Sequence, residues 1–252
     1  DQITDDCSKG GSDAADRVTI TELTRGNPPT TNSMLTDLWN HRYKVAISNC
    51  NVFLANVTPE TELIASGGSF VSAATKERWI AEAKFMRALY YFDLASVFAN
   101  IPIIDKPLGA EDKNAITKAD KADVQKFILS DLDAAINGNQ LPKAQNLSAD
   151  ELGRITHEAA LSFRARVKMF FGDYEGAKSD LKAVVESGAY ELVPDYQTLF
   201  NSKAHVKRGY IYYITFLPTP LQFISLRGSA NGYGTKCYRW LGRRMSHQRS
   251  SE

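Results

Sequence analysis

Apolar positions recur at steps of three and four along most of the chain. Leu38, Trp39, Tyr43, Ala46, Ile47, Cys50, Phe53, Leu54 and Val57 form one such stripe, which predicts a helix from about Thr36, closed by Pro59. After a loop marked by Gly67-Gly68-Ser69, a second stripe runs through Trp79, Ile80, Ala83, Met86, Leu89, Tyr90, Leu94, Val97 and Phe98. Phe85, Tyr91 and Phe92 broaden it, so this helix is expected to pack on more than one side. It ends at Asn100, because Ile101 precedes Pro102 and is pushed out of the α region. A third helix opens at Asp120, a good N-cap, with Asp123 near the positive end of the dipole. Its buried face is Val124, Phe127, Ile128, Leu132, Ala135 and Ile136, and Gly138 stops it.

Thr156 caps a fourth helix, with Glu158 in its first turn, that runs to Phe171. Gly172-Asp173 is a tight break, after which a fifth helix carries Ala177, Leu181, Val184 and Val185 as far as Ser187-Gly188. Two helices joined by so short a turn make an αα-hairpin, and the stretch from Ala165 to Val184 resembles a tetratricopeptide (TPR) repeat. Small residues at Ala165 and Ala177 let the two helices approach, and Tyr174 is expected to fill the groove between them.

The flanks read differently. Residues 1–35 are polar and rich in Asp, Gly, Ser, Thr and Pro, and are expected to be an N-terminal loop region. Residues 36–200 are the TPR-like helical domain. Residues 201–235 begin a loop-rich part with a short β-strand near 210–216, where Tyr210-Ile211-Tyr212-Tyr213-Ile214-Thr215-Phe216 is β-branched and aromatic and ends before Pro218. In residues 236–252 the apolar period is lost. The fold class is therefore mainly α, built from TPR-like antiparallel helix pairs with long loops and that single strand.

Composition narrows the function. The 30 basic and 29 acidic side chains nearly cancel, so no global field recruits nucleic acid or an anionic membrane. The longest apolar runs are too short for a membrane-spanning helix. Cys7, Cys50 and Cys237 lie far apart with no metal-ligand spacing, and His41, His157, His205 and His247 share no HExxH arrangement. No GxSxG motif or nucleophile–base set is present, so no catalytic residue and no cofactor is assigned.

Several stretches, in order, resemble the SusD/RagB family of outer-membrane lipoproteins. They are Trp39-Asn40, Tyr43, Ala46-Ile47 and Cys50-Asn51; Glu82-Ala83-Lys84-Phe85-Met86-Arg87-Ala88-Leu89-Tyr90-Tyr91-Phe92-Asp93-Leu94; and Asn100-Ile101-Pro102-Ile103-Ile104. Arg154-Ile155-Thr156, Gly172-Asp173-Tyr174 with Ala177, Ser187-Gly188-Ala189-Tyr190-Glu191-Leu192 and Tyr196-Leu199-Phe200 extend the resemblance, which covers residues 37–216. It implies a SusD-like α-superhelix at the cell outer membrane. Such a protein binds oligosaccharides or other nutrients and delivers them to a SusC-like TonB-dependent transporter, held by a lipid anchor that this chain does not contain. The family's first helix and its larger C-terminal part have no counterpart here. The chain is accordingly expected to be a fragment, with 236–252 a truncated or frameshifted end.

Sugar capture asks for a flat aromatic face and fixed polar groups. The glycine-rich loop Asp6-Cys7-Ser8-Lys9-Gly10-Gly11-Ser12 and its continuation offer Asp6, Lys9, Asp13, Asp16 and Arg17, and the resemblance places a glycan-binding loop there. Tyr233, in the family-like Gly232-Tyr233-Gly234, is the candidate aromatic platform, with Trp240 beyond it. Trp39, Trp79 and Tyr90-Tyr91-Phe92 lie on apolar stripes and read as core. Arg87, with Asp93 nearby in sequence, reads as half of a structural ion pair with another helix. The reading from a different class is an intracellular TPR scaffold that binds a peptide in its concave groove. A polysaccharide hydrolase would need paired carboxylates that no motif singles out.

Overall fold

The structure is a computed structural model that describes residues 18–192 and 210–212, except 27, 66, 110, 139, 149, 150 and 152. Seven α-helices lie among these residues: α1 Val18–Thr24, α2 Ser33–Asn40, α3 Ser48–Asn56, α4 Ala73–Phe98, α5 Lys121–Asn137, α6 His157–Phe170 and α7 Tyr174–Glu186. The fold is mainly α, and α4 packs chiefly on α5 as α6 does on α7.

The first predicted helix is longer than its stripe. α2 and α3 join without a break through a π-helical stretch, His41–Ile47, because the residues at both junctions keep helical dihedrals. The wider turn brings Tyr43 and Ile47 to the core together. Trp39 packs there as expected, its ring 4.7 Å from Tyr43 and 5.1 Å from Phe98.

Residues 1–35 are not all loop. Val18–Thr24 is helical and buries Ile20, and α2 begins at Ser33. Buried Asn32 explains the local order. Its Oδ1 accepts from the amides of Met34 and Leu35 at the start of α2, while its Nδ2 donates to the Thr19 carbonyl (3.0 Å) and to Glu22 (2.8 Å) on α1. One side chain thus caps one helix and ties down another.

α4 is buried on several sides, as its wide stripe predicts, through Phe85, Ala88, Tyr91, Phe92 and Leu94. Ala99 then takes φ +56°, ψ −79°, the one positive-φ residue other than glycine among the described residues, and turns the chain back along the helix. The returning segment is held by side chains. Tyr43 Oη donates to the Pro102 carbonyl (2.6 Å), and Tyr91 Oη both donates to the Ile104 carbonyl (2.9 Å) and accepts from its amide (2.6 Å).

Beneath that segment lies Arg87. Its Nε and Nη2 donate to the two oxygens of Asp131 on α5 at 2.7 and 2.8 Å, and its Nη1 reaches Asn51 Oδ1 at 2.8 Å and the Asp105 carbonyl at 3.1 Å. Asn51 Nδ2 in turn donates to the Ile104 carbonyl (2.8 Å). The expected interhelix ion pair is present, and its acid is Asp131; Asp93 pairs instead with Arg42 (2.8 Å) nearer the surface.

The αα-hairpin forms as predicted. Thr156 Oγ1 accepts from the Ala159 amide, and Asp173 Oδ1 from the Gly176 amide. Gly172 (φ +90°) makes the turn between them, and a Cβ at Gly176 would collide with the Asp173 carboxylate. Ala165 and Ala177 are buried where α6 and α7 approach, but Tyr174 points outward and is 67% exposed. At the first position of α7 its side chain lies beside the hairpin seam, which the two alanines close without it. Across the hairpin Arg164 forks onto Asp180 (2.9 and 2.6 Å) and reaches Asp133 on α5 (2.7 Å), and Lys168 adds a second cation (2.8 Å to Asp180).

The expected strand does not form where it is described. Tyr210 to Tyr212 are bent coil, and no other described segment runs beside them to complete a ladder. The remainder of 210–216 lies outside the described residues, as does the tail 236–252. Two isolated bridges, Ile64 with Phe70 and Pro102 with Lys118, are the extended pairings among the described residues.

Replacing Asp131 by Ala leaves the Arg87 guanidinium buried without its counter-charge and lowers the unfolding free energy by about 3–5 kcal/mol in urea denaturation. Asp93→Asn, at the surface pair, changes it by about 0–1 kcal/mol. Burial alone would raise the Asp180 carboxyl, but the hydrogen bonds from Arg164 and Lys168 outweigh it and hold the group below its ordinary value. A depressed carboxylate stabilises the fold above its unfolded value of about 4 and loses that contribution as pH falls through the folded value. Stability followed by denaturant titration therefore drops on acidification below about pH 4. Asp180→Asn is less stable at neutral pH and flattens that drop.

Candidate ligand cleft

Two helical stripes face each other across an open cleft of about 660 Å³. Ala46, Asn49, Cys50 and Phe53 follow at helical steps along the π stretch and α3, and Trp79, Glu82, Ala83, Met86 and Tyr90 do so along α4. Gly153, Arg154 and Ile155 close one end, and Tyr212 lies over the α4 side. The Tyr212 ring is 6.0 Å from that of Phe85, and its hydroxyl sits 3.9 Å from Met86 Sδ.

The walls are aromatic and aliphatic, and the polar groups are few and fixed. Glu82 is gripped by Arg154, whose Nε lies 3.0 Å from Oε1, and by Arg78 at 3.3 Å. Arg78 also donates to Glu151, which draws that carboxyl below its usual range. Arg42 lies over the Tyr90 ring at 5.2 Å. The Asn49 carboxamide is exposed and has no partner among the described residues. Burial raises the Tyr90 and Tyr212 phenols and pushes the Cys50 thiol up to about 11, against a smaller opposing pull from Arg87. All three stay neutral at physiological pH.

Chemically, this is a surface for stacking and hydrogen bonding. Glycoside hydrolysis needs two carboxyl groups about 5–9.5 Å apart across the scissile bond. Glu82 is the single carboxylate among the described lining residues, and two arginines neutralise it. No group of three His, Cys, Asp or Glu side chains could hold a metal among the described residues.

Asp6, Lys9, Asp13, Asp16, Arg17 and Tyr233, the binding residues expected from sequence, all lie outside the described residues, as does Trp240. The cleft itself was not expected. Trp79 and Tyr90 sit on the stripe read as core, and both line the opening. Periodicity marks a face as apolar, but it does not say whether a second element covers that face. The meeting of Glu82 with Arg154, 72 residues away, has no local signal at all.

Comparison with known proteins locates this architecture. Residues 11–169 match the model of a SusD-like family described as starch-binding and associating with the outer membrane. A SusD-like protein, P2, of Formosa agariphila is 29% identical over 209 residues, covering 81% of this chain and 36% of that protein. The crystal structure of a SusD-like carbohydrate-binding protein from Bacteroides fragilis is 30% identical with a TM-score of 0.70, over 82% of this chain and 37% of that one. A laminarin-binding SusD-like protein is 28% identical with a TM-score of 0.65, over 75% and 39%. The chain thus spans about a third of the length of the curated relatives it matches. The cleft residues on α3, α4 and the loop at 153–155 all fall within the matched 11–169.

The thiol makes a local check on the cleft. With its value raised from 9.0 to about 11, Cys50 should alkylate at pH 8 about 100-fold more slowly than an unperturbed thiol, read by peptide mass spectrometry. Reaction at the unperturbed rate would mean the thiol is more open to water than the cleft geometry allows.

Proposed function

From the premise that the chain belongs to the SusD-like family, we propose that it captures oligosaccharides at the cell surface without making or breaking a bond and passes them to a TonB-dependent transporter of the SusC kind. The observation that carries this reading is the family match over residues 11–169, whose description is starch-binding and outer-membrane association. Relatives described as carbohydrate-binding and laminarin-binding support the ligand class. The proposed attachment, as the family resemblance implies, is a lipid anchor; no helix among the described residues is long and apolar enough to cross a membrane.

The cleft adds a physical rationale. A pyranose ring presents a face of C–H groups that stacks on an indole or phenol, while its hydroxyls seek a few oriented polar partners. Trp79 and Tyr90 supply the former, and Asn49 and the Glu82–Arg154 pair the latter. Asp6, Lys9, Asp13, Asp16, Arg17 and Tyr233 are proposed as a second set of contacts, in which the loop side chains bind hydroxyls and Tyr233 stacks.

Calorimetric titration with starch-type and laminarin-type oligosaccharides tests the reading. Binding is expected with at least one of them, and Trp79→Ala weakens it about 3- to 10-fold, the worth of one aromatic contact. Undiminished binding in Trp79→Ala, with loss in Asp13→Ala and Arg17→Ala, moves the site to the N-terminal loop. No heat with any neutral or acidic glycan would remove the capture reading for this chain.

A further inference from the structure

The outward side of α7 carries an apolar stripe that the fold leaves open. Tyr174, Lys178, Leu181 and Val185 follow at steps of four, three and four, the spacing of a seam between paired helices. Val185 is 79% exposed, Tyr174 67% and Leu181 40%, and Met169 of α6 flanks them at 47%. With Ala177 at its floor the stripe forms a groove of about 420 Å³. The adjoining flank of α7 is already used, since Asp180 and Val184 are buried against the rest of the molecule, with Ala177 between the two faces.

We propose that this groove is filled by α7 of a second copy of the chain, lying antiparallel about a two-fold axis. The stripe is self-complementary only in that direction. Antiparallel, Tyr174 of one copy opposes Val185 of the other, Lys178 opposes Leu181, and the long lysine stem covers apolar surface while its ammonium stays in water. Glu175 and Lys182 lie seven residues apart on the solvent side of the seam, so each glutamate meets the other copy's lysine at both ends of the pair. A parallel pair would put the two copies of Glu175 and Lys182 on opposite flanks of the seam, where no glutamate meets a lysine of the other copy. The present partners of these groups are loose enough to exchange: Lys178 and Glu175 stand 4.0 Å apart, and Lys182 and Glu186 3.6 Å, all exposed. The seam from Tyr174 to Val185 is only about 17 Å long. That is short of the roughly 800 Å² per partner of a standard stable interface, so the dimer is weak and depends on concentration.

Sedimentation velocity on the 252-residue chain from about 1 to 300 µM tests the pairing. Average mass is expected to rise from monomer toward dimer across that range. Val185→Glu should abolish the rise with the far-ultraviolet circular dichroism unchanged, because the position is exposed. Glu175→Lys and Lys182→Glu should each weaken association roughly 3- to 5-fold, and the double exchange should restore it. Monomer at every concentration overturns the proposal, whether the groove is empty or serves another partner. Self-association that Val185→Glu leaves untouched, or a double exchange without rescue, overturns it equally. Glycan binding at the α3–α4 cleft is unaffected by any of these outcomes.

Discussion

The pairing of Arg87 with Asp131 organises more of this molecule than any other contact. A guanidinium taken into the interior of a helical domain must find a counter-charge and fill its remaining donors, or it costs several kcal/mol. Here the carboxylate comes from α5, the amide oxygen of Asn51 from α3, and a carbonyl from the segment that follows α4. Three helices and a return loop are thereby fixed at one point. The ring of Phe127, 5.1 Å from the guanidinium carbon, covers its face and seals the arrangement from water.

The return loop explains two further features. Because residues 101–106 must lie against α3 and α4, the chain has to reverse at once after Phe98, and Ala99 takes a left-handed conformation to do it. The carbonyls the loop would otherwise bury unpaired are met by Tyr43, Tyr91 and Asn51. Those three side chains reach the loop together because the π-helical stretch and α3 run beside α4 in one fixed register.

The same register leaves the other side of α3 and α4 open. The rims of the cleft are held by charges, Arg78 and Arg154 with Glu82 and Glu151, and its walls by Trp79, Met86 and Tyr90. A wall of rings beside an already neutralised carboxylate favours an uncharged, hydroxyl-rich ligand over an ion.

How much of this was legible beforehand depends on how far apart the determining residues are. The helices of the αα-hairpin, the cap at Thr156, and the breaks at Pro102 and Gly172 are settled within a turn or two of chain. Periodicity, capping and backbone preference therefore reveal them in the sequence itself. That Arg87 would pair with another helix also follows from a charge set in an apolar stripe. Which acid it would choose does not: Asp131 is 44 residues away and Asp93 only six, and only the packing of α4 on α5 decides between them. Tyr174 points outward, Trp79 and Tyr90 line an opening, and Val18–Thr24 becomes helix once Asn32 holds it, all for a similar reason. A sequence fixes which face of a helix avoids water, whereas the tertiary structure decides which of those faces finds a partner.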